Sequence, residues 1–214
     1  MWYEPPVEVD FVKQDDLGQP LAGAKLQVQQ ADGTVIEEWT STAQAHRISS
    51  TLVSGGTYRL VEVKAPDGFA MVAPVEFTVD DERVGPGENK LISVTMKDMP
   101  IVLDVFKTDK ADGKALTGVV FDILGTFADG SSVQTIKSTE DGIRLRALLI
   151  GGNTYELTET MAAEGYEKLS GTIRFTVDVS GKVTLDTASA LAEITLADDG
   201  TQVLAIANAK MAAP

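Results

Sequence analysis

Residues 58–69 read Tyr-Arg-Leu-Val-Glu-Val-Lys-Ala-Pro-Asp-Gly-Phe, and the stretch returns at 155–166 as Tyr-Glu-Leu-Thr-Glu-Thr-Met-Ala-Ala-Glu-Gly-Tyr. In both copies an aromatic residue, a leucine and a glutamate occupy alternate positions. A β-strand sends alternate side chains to one face, so Glu62 and Glu159 are each predicted to share the apolar face of a strand. An unpaired carboxylate is costly to bury, so each glutamate requires a proton or a cationic partner.

The sequence on either side of the two copies also repeats, in the same order. Before each copy an alternating stretch carries a lysine on its apolar face, and two further alternating stretches follow. The matched sets are Val9-Phe11-Lys13 and Leu103-Val105-Lys107, then Val75-Phe77-Val79 and Ile173-Phe175-Val177, then Val94-Met96-Asp98 and Leu204-Ile206-Asn208. The repeat predicts two domains, residues 1–99 with a lead-in at 1–6, and residues 100–214 with an insertion around 180–202.

The fold class follows from short alternating stretches separated by turn signals, with little helical periodicity. A strand is predicted from Leu21 to Val28, and Gly68 is expected to adopt a positive φ in the turn after Pro66. A short helical turn is expected within 186–193. Many short strands at near-regular spacing predict an all-β chain of two tandem Ig-like or prealbumin-like β-sandwiches.

Composition excludes several classes of function. A formal net charge of -14 argues against nucleic acid and anionic membranes, whose phosphates would repel the chain. No apolar run is long enough to span a bilayer, and no signal peptide is visible. We expect a monomer whose acidic surface is solvated.

The chain has no cysteine and one histidine, His46, which is predicted to lie in a surface loop. These counts exclude a disulfide framework, thiolate metal sites and most acid–base constellations, so no cofactor or metal is expected. The acidic runs at 80–82 and 198–199 suggest calcium, but neither forms a full binding loop and solvated turns are favoured.

Each repeat places a lysine on its first strand, a glutamate on a middle strand and a carboxyl or carboxamide on its last strand. The two sets are Lys13, Glu62, Asp98 and Lys107, Glu159, Asn208. A desolvated lysine loses its proton more readily, and a desolvated glutamate keeps one. The neutral amine can then attack the side-chain carbonyl carbon while the glutamate relays protons, which forms an amide.

Two simpler interpretations of these sets remain open from the residues alone. Each lysine and glutamate can form a buried ion pair, or the lysines can extend their charged ends to the surface.

The chain resembles two tandem CnaB-type domains, the SpaA-like domains with a prealbumin fold of Gram-positive surface adhesins and pilins. The motifs that carry the resemblance cover nearly the whole chain. They are Phe11-Val-Lys13-Gln-Asp15, Leu21-Ala-Gly-Ala24, residues 58–69 and Asp98, and then Phe106-Lys107-Thr-Asp109, Leu116-Thr-Gly-Val119, residues 155–166 and Ile206-Ala-Asn208. The first repeat is especially similar to the domain that was split to make SpyTag and SpyCatcher, including its use of aspartate.

The resemblance implies an intramolecular isopeptide bond in each repeat, Lys13–Asp98 with Glu62 as catalyst and Lys107–Asn208 with Glu159. It also implies a structural stalk segment of a cell-wall-anchored adhesin or pilus, outside the cell, whose partners are neighbouring domains of the same protein. Two departures are Ala163, where the family usually has proline, and the Met-Lys-Asp ending of the first repeat, where Asp98 is assigned by strand parity.

Two other function classes are alternatives to the stalk. A ligand-binding adhesin module would use the loops at 80–90 or 180–202, because sandwich loops often carry recognition. Those loops show no aromatic platform or basic cluster. An enzyme acting on external substrates has no nucleophile–histidine pair or metal set to support it.

Overall fold

The described residues of the first repeat form seven short strands. The computed structural model of the chain describes residues 7–49, 51–79, 91–186 and 191–212. The strands are β1 (Glu8–Gln14), β2 (Lys25–Gln30), β3 (Val35–Thr40), β4 (His46–Ser49), β5 (Thr57–Lys64), β6 (Val75–Thr78) and β7 (Leu91–Lys97). They form two sheets, ordered β4-β1-β7 and β3-β2-β5-β6.

The described residues of the second repeat follow the same plan and form nine strands. Its strands are β8 (Val102–Asp109), β9 (Val120–Leu124), β10 (Val133–Lys137), β11 (Ile143–Arg146), β12 (Thr154–Met161), β13 (Thr172–Val177), β14 (Val183–Leu185), β15 (Ala192–Leu196) and β16 (Gln202–Asn208). The sheet orders are β11-β8-β16-β15 and β10-β9-β12-β13-β14. The chain divides into two compact units, Met1–Pro66 with Ala70–Met99, and Asp67–Phe69 with Pro100–Pro214.

In each repeat the first and last strands lie side by side and run parallel. β1 pairs with β7 from Glu8↔Leu91 to Gln14↔Lys97, and β8 pairs with β16 from Leu103↔Gln202 to Asp109↔Asn208. Parallel neighbours require a long connection, and here the whole remaining sandwich is that connection. The chain therefore enters a repeat at one end of this strand pair and leaves it at the other.

The hydrophobic core of each repeat lies between its two sheets, because each strand turns one face inward. In the first repeat Val9 and Phe11 on β1 face Leu26 and Leu60 of the other sheet, and all four are at most 2% exposed. In the second repeat the corresponding inward residues of β8, Leu103 and Val105, are fully buried. This burial confirms the predicted all-β class with two tandem sandwiches.

The predicted start of the second strand was wrong. β2 begins at Lys25 and not at Leu21, because Gly23 has a φ of +95° and its N–H donates to Ser41 O across the loop. The centre of the helical turn expected within 186–193 lies outside the described residues, so that expectation stays a prediction; on either side of it, Asp186 N donates to Arg174 O and β15 begins at Ala192. The lead-in at 1–6, the loop at 80–90 and residues 187–190 of the insertion lie outside the described residues.

The sequence predicted His46 in a surface loop, and this prediction was wrong. It is the first residue of β4, half-buried, and its ring stacks on Trp39 with 4.2 Å between centroids. Its Nε2 lies 2.6 Å from Glu37 Oε1. The sequence did not predict strands β4 and β11, because each is four residues long and buries a single side chain. Gly68 has the expected positive φ, +92°.

The tyrosine hydroxyls of the repeated stretch, on Tyr58 and Tyr155, make different hydrogen bonds. Tyr155 Oη donates to Thr126 O at 2.9 Å and accepts from Ile150 N at 2.8 Å, whereas Tyr58 Oη accepts from Val53 N. We expect Tyr155→Phe to lower the free energy of unfolding by about 1–3 kcal/mol, because it leaves two part-buried backbone groups without their hydrogen-bond partner. Chemical denaturation of the variant measures the effect.

The matched control is Tyr58→Phe, which removes one such hydrogen bond in the first repeat. A smaller loss is expected there. Equal losses in the two variants would contradict the assignment of a double anchor to Tyr155.

Candidate functional site

In the first repeat Lys13, Glu62 and Asp98 meet between the two sheets. Lys13 is the sixth residue of β1, Glu62 lies on β5 of the opposite sheet, and Asp98 directly follows β7. The alternation of each strand turns these side chains inward. They are 4%, 3% and 0% exposed, respectively, so three ionisable groups share a dry interior.

The three side chains of this first site are in direct contact. Lys13 Nζ contacts Asp98 Oδ1 and lies 3.4 Å from Glu62 Oε1. Glu62 Oε2 accepts a hydrogen bond of 3.2 Å from Val72 N in the loop before β6. Glu62 Oε1 and Asp98 Oδ2 have no hydrogen-bond partner among the described residues. Two orphaned carboxyl oxygens in a dry site favour a protonated carboxyl.

Burial raises the pKa of Glu62 to about 7, although the charge of Lys13 lowers it and that of Asp98 raises it. A carboxyl with this pKa can hold a proton near neutral pH and can donate it during a reaction. The arrangement brings an amine, a carboxyl carbon and a proton donor together. These are the components that amide formation requires.

In the second repeat Lys107, Glu159 and Asn208 occupy the matching positions. They lie on β8, β12 and β16, and each is at most 1% exposed. Asn208 Nδ2 donates to both Glu159 oxygens, at 2.8 and 3.1 Å. Lys107 Nζ donates to Ile206 O at 3.2 Å, and Asn208 Oδ1 has no partner among the described residues.

Burial lowers the pKa of Lys107 from 10.5 to about 8, against the charge of Glu159, which raises it. A lysine with this pKa has a substantial neutral fraction near physiological pH, and the neutral amine is the nucleophile. Glu159 contacts the carboxamide nitrogen, which is the atom that would leave as ammonia.

In both repeats the pairing of the first and last strands places the carboxyl or carboxamide at the same offset from the lysine. Lys13 is paired with Met96 and Lys107 with Ile206, and in each case the carboxyl or carboxamide lies two residues further along. Both pairs join strands that are parallel neighbours. A bond at either position would link the first strand of a repeat directly to its last.

Aromatic rings pack in the cores that hold these sites. The Phe11 ring lies 5.4 Å from Phe77 and 5.3 Å from Trp39. In the second repeat Phe175 lies 5.4 Å from Tyr155. Such rings exclude water and strengthen every electrostatic interaction beside them.

The structure adds residues that sequence patterns did not indicate. The N–H of Val72 orients Glu62, and a backbone donor carries no signal in the sequence. Asp109, which the sequence indicated only as part of a family motif, is the last residue of β8 and is 3% exposed. Its position two residues after Lys107, on the same strand face, was the available signal.

Other candidate features contribute no site. Within the described residues no group of three or more His, Cys, Asp or Glu side chains could hold a metal ion. Asp199 Oδ1 accepts from Thr201 N at 2.9 Å, which is an ordinary turn contact, and the acidic residues at 80–82 lie outside the described residues. In the part of the chain that the structure covers, no helix is long and apolar enough to cross a membrane.

Comparison with solved structures finds similar folds. The C-terminal fragment of the pilus adhesin SpaC from Lactobacillus rhamnosus GG aligns at a TM-score of 0.51 and 19% identity, over 98% of this chain and 99% of that chain. An iodide-soaked structure of the same fragment gives 0.52 and 19%, over 97% and 99%. A streptococcal ancillary pilin gives 0.41 and 16%, over 97% and 63%.

A search of curated proteins finds no significant match. The sequence does match a domain family, described as the SpaA prealbumin-like fold domain, once in each repeat, over residues 7–92 and 102–190. Those two matches cover most of the chain and fall on the two sandwiches described above. The chain therefore belongs to the SpaA family of prealbumin-like fold domains.

Proposed function

We propose that this chain is a structural stalk segment of a Gram-positive surface adhesin or pilus, and that an isopeptide bond locks each of its repeats. The observation that carries the proposal is the contact of Lys13 Nζ with Asp98 Oδ1 in a dry site beside Glu62. Membership of the SpaA family and the SpaC-like fold support it. The location is then the cell surface, and the partners are neighbouring domains of the same protein.

In the first repeat the neutral Lys13 amine attacks the Asp98 carboxyl carbon. A new C–N bond forms, the C–O bond breaks, and the amine gives up one hydrogen to the leaving hydroxyl, so that one water departs. Protonated Glu62 polarises the carbonyl and relays the proton. The step needs no cofactor, and it turns over once, because the product is part of the protein.

In the second repeat Lys107 attacks the Asn208 carboxamide carbon in the same way. The C–N bond to Nδ2 breaks, a lysine hydrogen passes to that nitrogen through Glu159, and one ammonia departs. The contacts of 2.8 and 3.1 Å between Asn208 Nδ2 and Glu159 support this route, because they join the proton carrier to the leaving group.

The proposed bonds suit a stalk because of where they lie. The first joins residues 85 apart in sequence, across strands that run parallel at neighbouring positions. Tension that enters at β1 would leave at β7 through the bond, and the sandwich between them would carry little load. By analogy with a disulfide that closes such a loop, each bond would add about 4–5 kcal/mol of stability.

A ligand-binding module is the second candidate, and one feature of the second repeat favours it. An open groove of about 790 Å³ lies between the edges of β14 and β15, within the insertion at 180–202. Aliphatic and small polar side chains line it, together with Lys182. The groove has no aromatic ring among its described lining residues and identifies no ligand, so the stalk remains the proposed function.

The mass of the purified chain tests the chemistry. We expect it to fall below the sequence mass by one water and one ammonia, because each bond expels one small molecule. After digestion, mass spectrometry should find the Lys13 peptide joined to the Asp98 peptide, and the Lys107 peptide joined to the Asn208 peptide.

Variants of the glutamates are the controls. In Glu62→Ala and the isosteric Glu62→Gln the first bond should not form, so the mass deficit of one water should be absent. In Glu159→Ala and Glu159→Gln the mass deficit of one ammonia should be absent. All four variants should remain folded. An unmodified mass for the parent chain would refute the proposed bonds. Normal bonds in the glutamate variants would refute only the role of the glutamates.

Extension of single molecules tests the mechanical role. When the chain is pulled from both ends, we expect no stepwise extension from unfolding of either repeat. The bond would carry the force from the first strand to the last, so the strands between them would not be pulled apart. The Glu62→Gln chain should show one added lengthening step, equal to the chain between Lys13 and Asp98. Identical extension traces for the two proteins would contradict a load-bearing bond.

The pH dependence of stability tests whether Lys107 is consumed. In Asn208→Ala the lysine stays free, and its folded pKa of about 8 lies below its ordinary 10.5. The unfolded state then binds more protons between these values, so the free energy of unfolding should rise by about 3 kcal/mol from pH 8 to 10.5. Denaturation at a series of pH values measures this rise.

The double variant Lys107→Met/Asn208→Ala is the matched control, because it lacks the titrating amine and should not show the rise. The parent chain should also lack it, since an amide nitrogen does not titrate. A parent chain that shows the full rise would retain a free Lys107.

A further inference from the structure

A polar cluster in the second repeat lies one step beyond the proposed Lys107–Asn208 bond. We name Asp109, Tyr166 and Lys210 the clasp. Asp109 Oδ2 accepts a hydrogen bond of 2.8 Å from Tyr166 Oη and lies 3.1 Å from Lys210 Nζ, while Asp109 Oδ1 accepts from Ala111 N at 2.7 Å. Three donors from separate segments thus converge on one carboxylate.

The clasp differs from the proposed bond sites in the charge state of its lysine and its aspartate. The Ala111 N–H and then the Tyr166 hydroxyl lower the pKa of Asp109 to about 2, and the hydrogen bond to Asp109 raises the pKa of Lys210. Both groups are therefore charged at neutral pH. An ionised carboxylate resists attack by an amine, and a protonated amine does not attack, so this lysine–aspartate contact stays noncovalent.

The clasp joins the same two strands as the proposed bond. Asp109 lies two residues after Lys107, and Lys210 lies two residues after Asn208. Asp109 and Asn208 are direct partners in the parallel ladder, and Lys110 N donates to Asn208 O at 2.9 Å. Movement of the clasp along the strand would therefore move the Asn208 side chain relative to Lys107.

The loop after the glutamate strand completes this arrangement. Glu167 N donates to Ala209 O, and Met211 N donates to Gly165 O, both at 2.9 Å. Tyr166 lies between these two hydrogen bonds, opposite Lys210. The segment that follows β12, the strand of Glu159, thus holds the segment that follows Asn208.

The first repeat lacks the groups for an equivalent clasp. Its matching residues are Asp15, Phe69 and Pro100, and neither phenylalanine nor proline carries a side-chain donor. Asp15 Oδ1 instead accepts from Leu17 N and Gln19 N within its own turn. The clasp is a property of the second repeat, and the first repeat is its internal reference.

We propose that Asp109, Tyr166 and Lys210 are positioning residues for amide formation in the second repeat, which hold the strand end in register so that the Asn208 carbonyl carbon faces Lys107. This inference rests on the proposed function. Its physical basis is that the rate of an intramolecular reaction depends steeply on how well the reacting atoms are aligned. A merely stabilising contact would leave that rate unchanged.

The test follows bond formation in the full chain as it is made. The parent chain, Lys210→Met, Lys210→Arg and Tyr166→Phe are produced by cell-free synthesis and quenched in acid at intervals. Digestion and mass spectrometry then give the fraction of Lys107 peptide joined to Asn208 peptide at each time. The Lys13–Asp98 pair of the same molecule serves as the internal standard.

We expect Lys210→Met and Tyr166→Phe to slow the second bond by about threefold to tenfold, which lies between the effect of losing an exposed ion pair and that of losing a hydrogen bond to a charged group. The rate of the first bond should not change. Lys210→Arg keeps the charge and should restore most of the rate. Added salt should slow the second bond of the parent chain more than that of Lys210→Met, because screening weakens an ion pair.

The outcomes separate the two proposals. A parent chain that never joins Lys107 to Asn208 would refute the proposed function for this repeat. A parent chain and variants that join them at equal rates would leave the bond established and refute the clasp. Tyr166→Phe preserves the volume of the ring, so its rate decides the matter if Lys210→Met fails to fold.

Discussion

The removal of water from a lysine, a glutamate and a carboxyl or carboxamide is the constraint on which each repeat depends. Charged groups are expensive to bury alone, so Lys13, Glu62 and Asp98 are tolerated between the sheets only as a set. An ion pair satisfies this constraint partly, because it leaves Glu62 Oε1 and Asp98 Oδ2 without hydrogen-bond partners among the described residues. An amide satisfies it further, since it replaces two ionisable groups with one neutral group.

The two repeats meet this constraint with different chemistry. The first has two carboxyls and one amine, and burial raises the pKa of Glu62 to about 7. The second has one carboxyl, one amine and a neutral carboxamide, and there burial lowers the pKa of Lys107 to about 8. In both cases the low dielectric interior moves a group toward its neutral form. The proposed reaction needs a neutral amine and a proton carrier, and burial favours both.

Two of the lysine–aspartate contacts among the described residues, Lys13–Asp98 and Lys210–Asp109, have different surroundings. Asp98 is fully buried and one of its oxygens has no hydrogen-bond partner in the described part of the chain, whereas Asp109 accepts from a backbone N–H, a tyrosine hydroxyl and a lysine. Donors stabilise the charged form of a carboxylate, and burial with few donors destabilises it. The number of donors around the carboxyl therefore distinguishes a site suited to amide formation from an ionic clasp.

The sequence by itself determined the local properties of this protein. Alternation of apolar residues identified most strands and turned Lys13, Glu62 and their counterparts inward, and the internal repeat identified two sandwiches, because period-two patterns are readable from neighbours along the chain. Only the tertiary structure decided which strands are neighbours, where His46 stacks and that Asp109 meets Lys210. Those features depend on contacts between residues far apart in sequence, and on backbone donors such as the Val72 N–H that every residue type except proline carries.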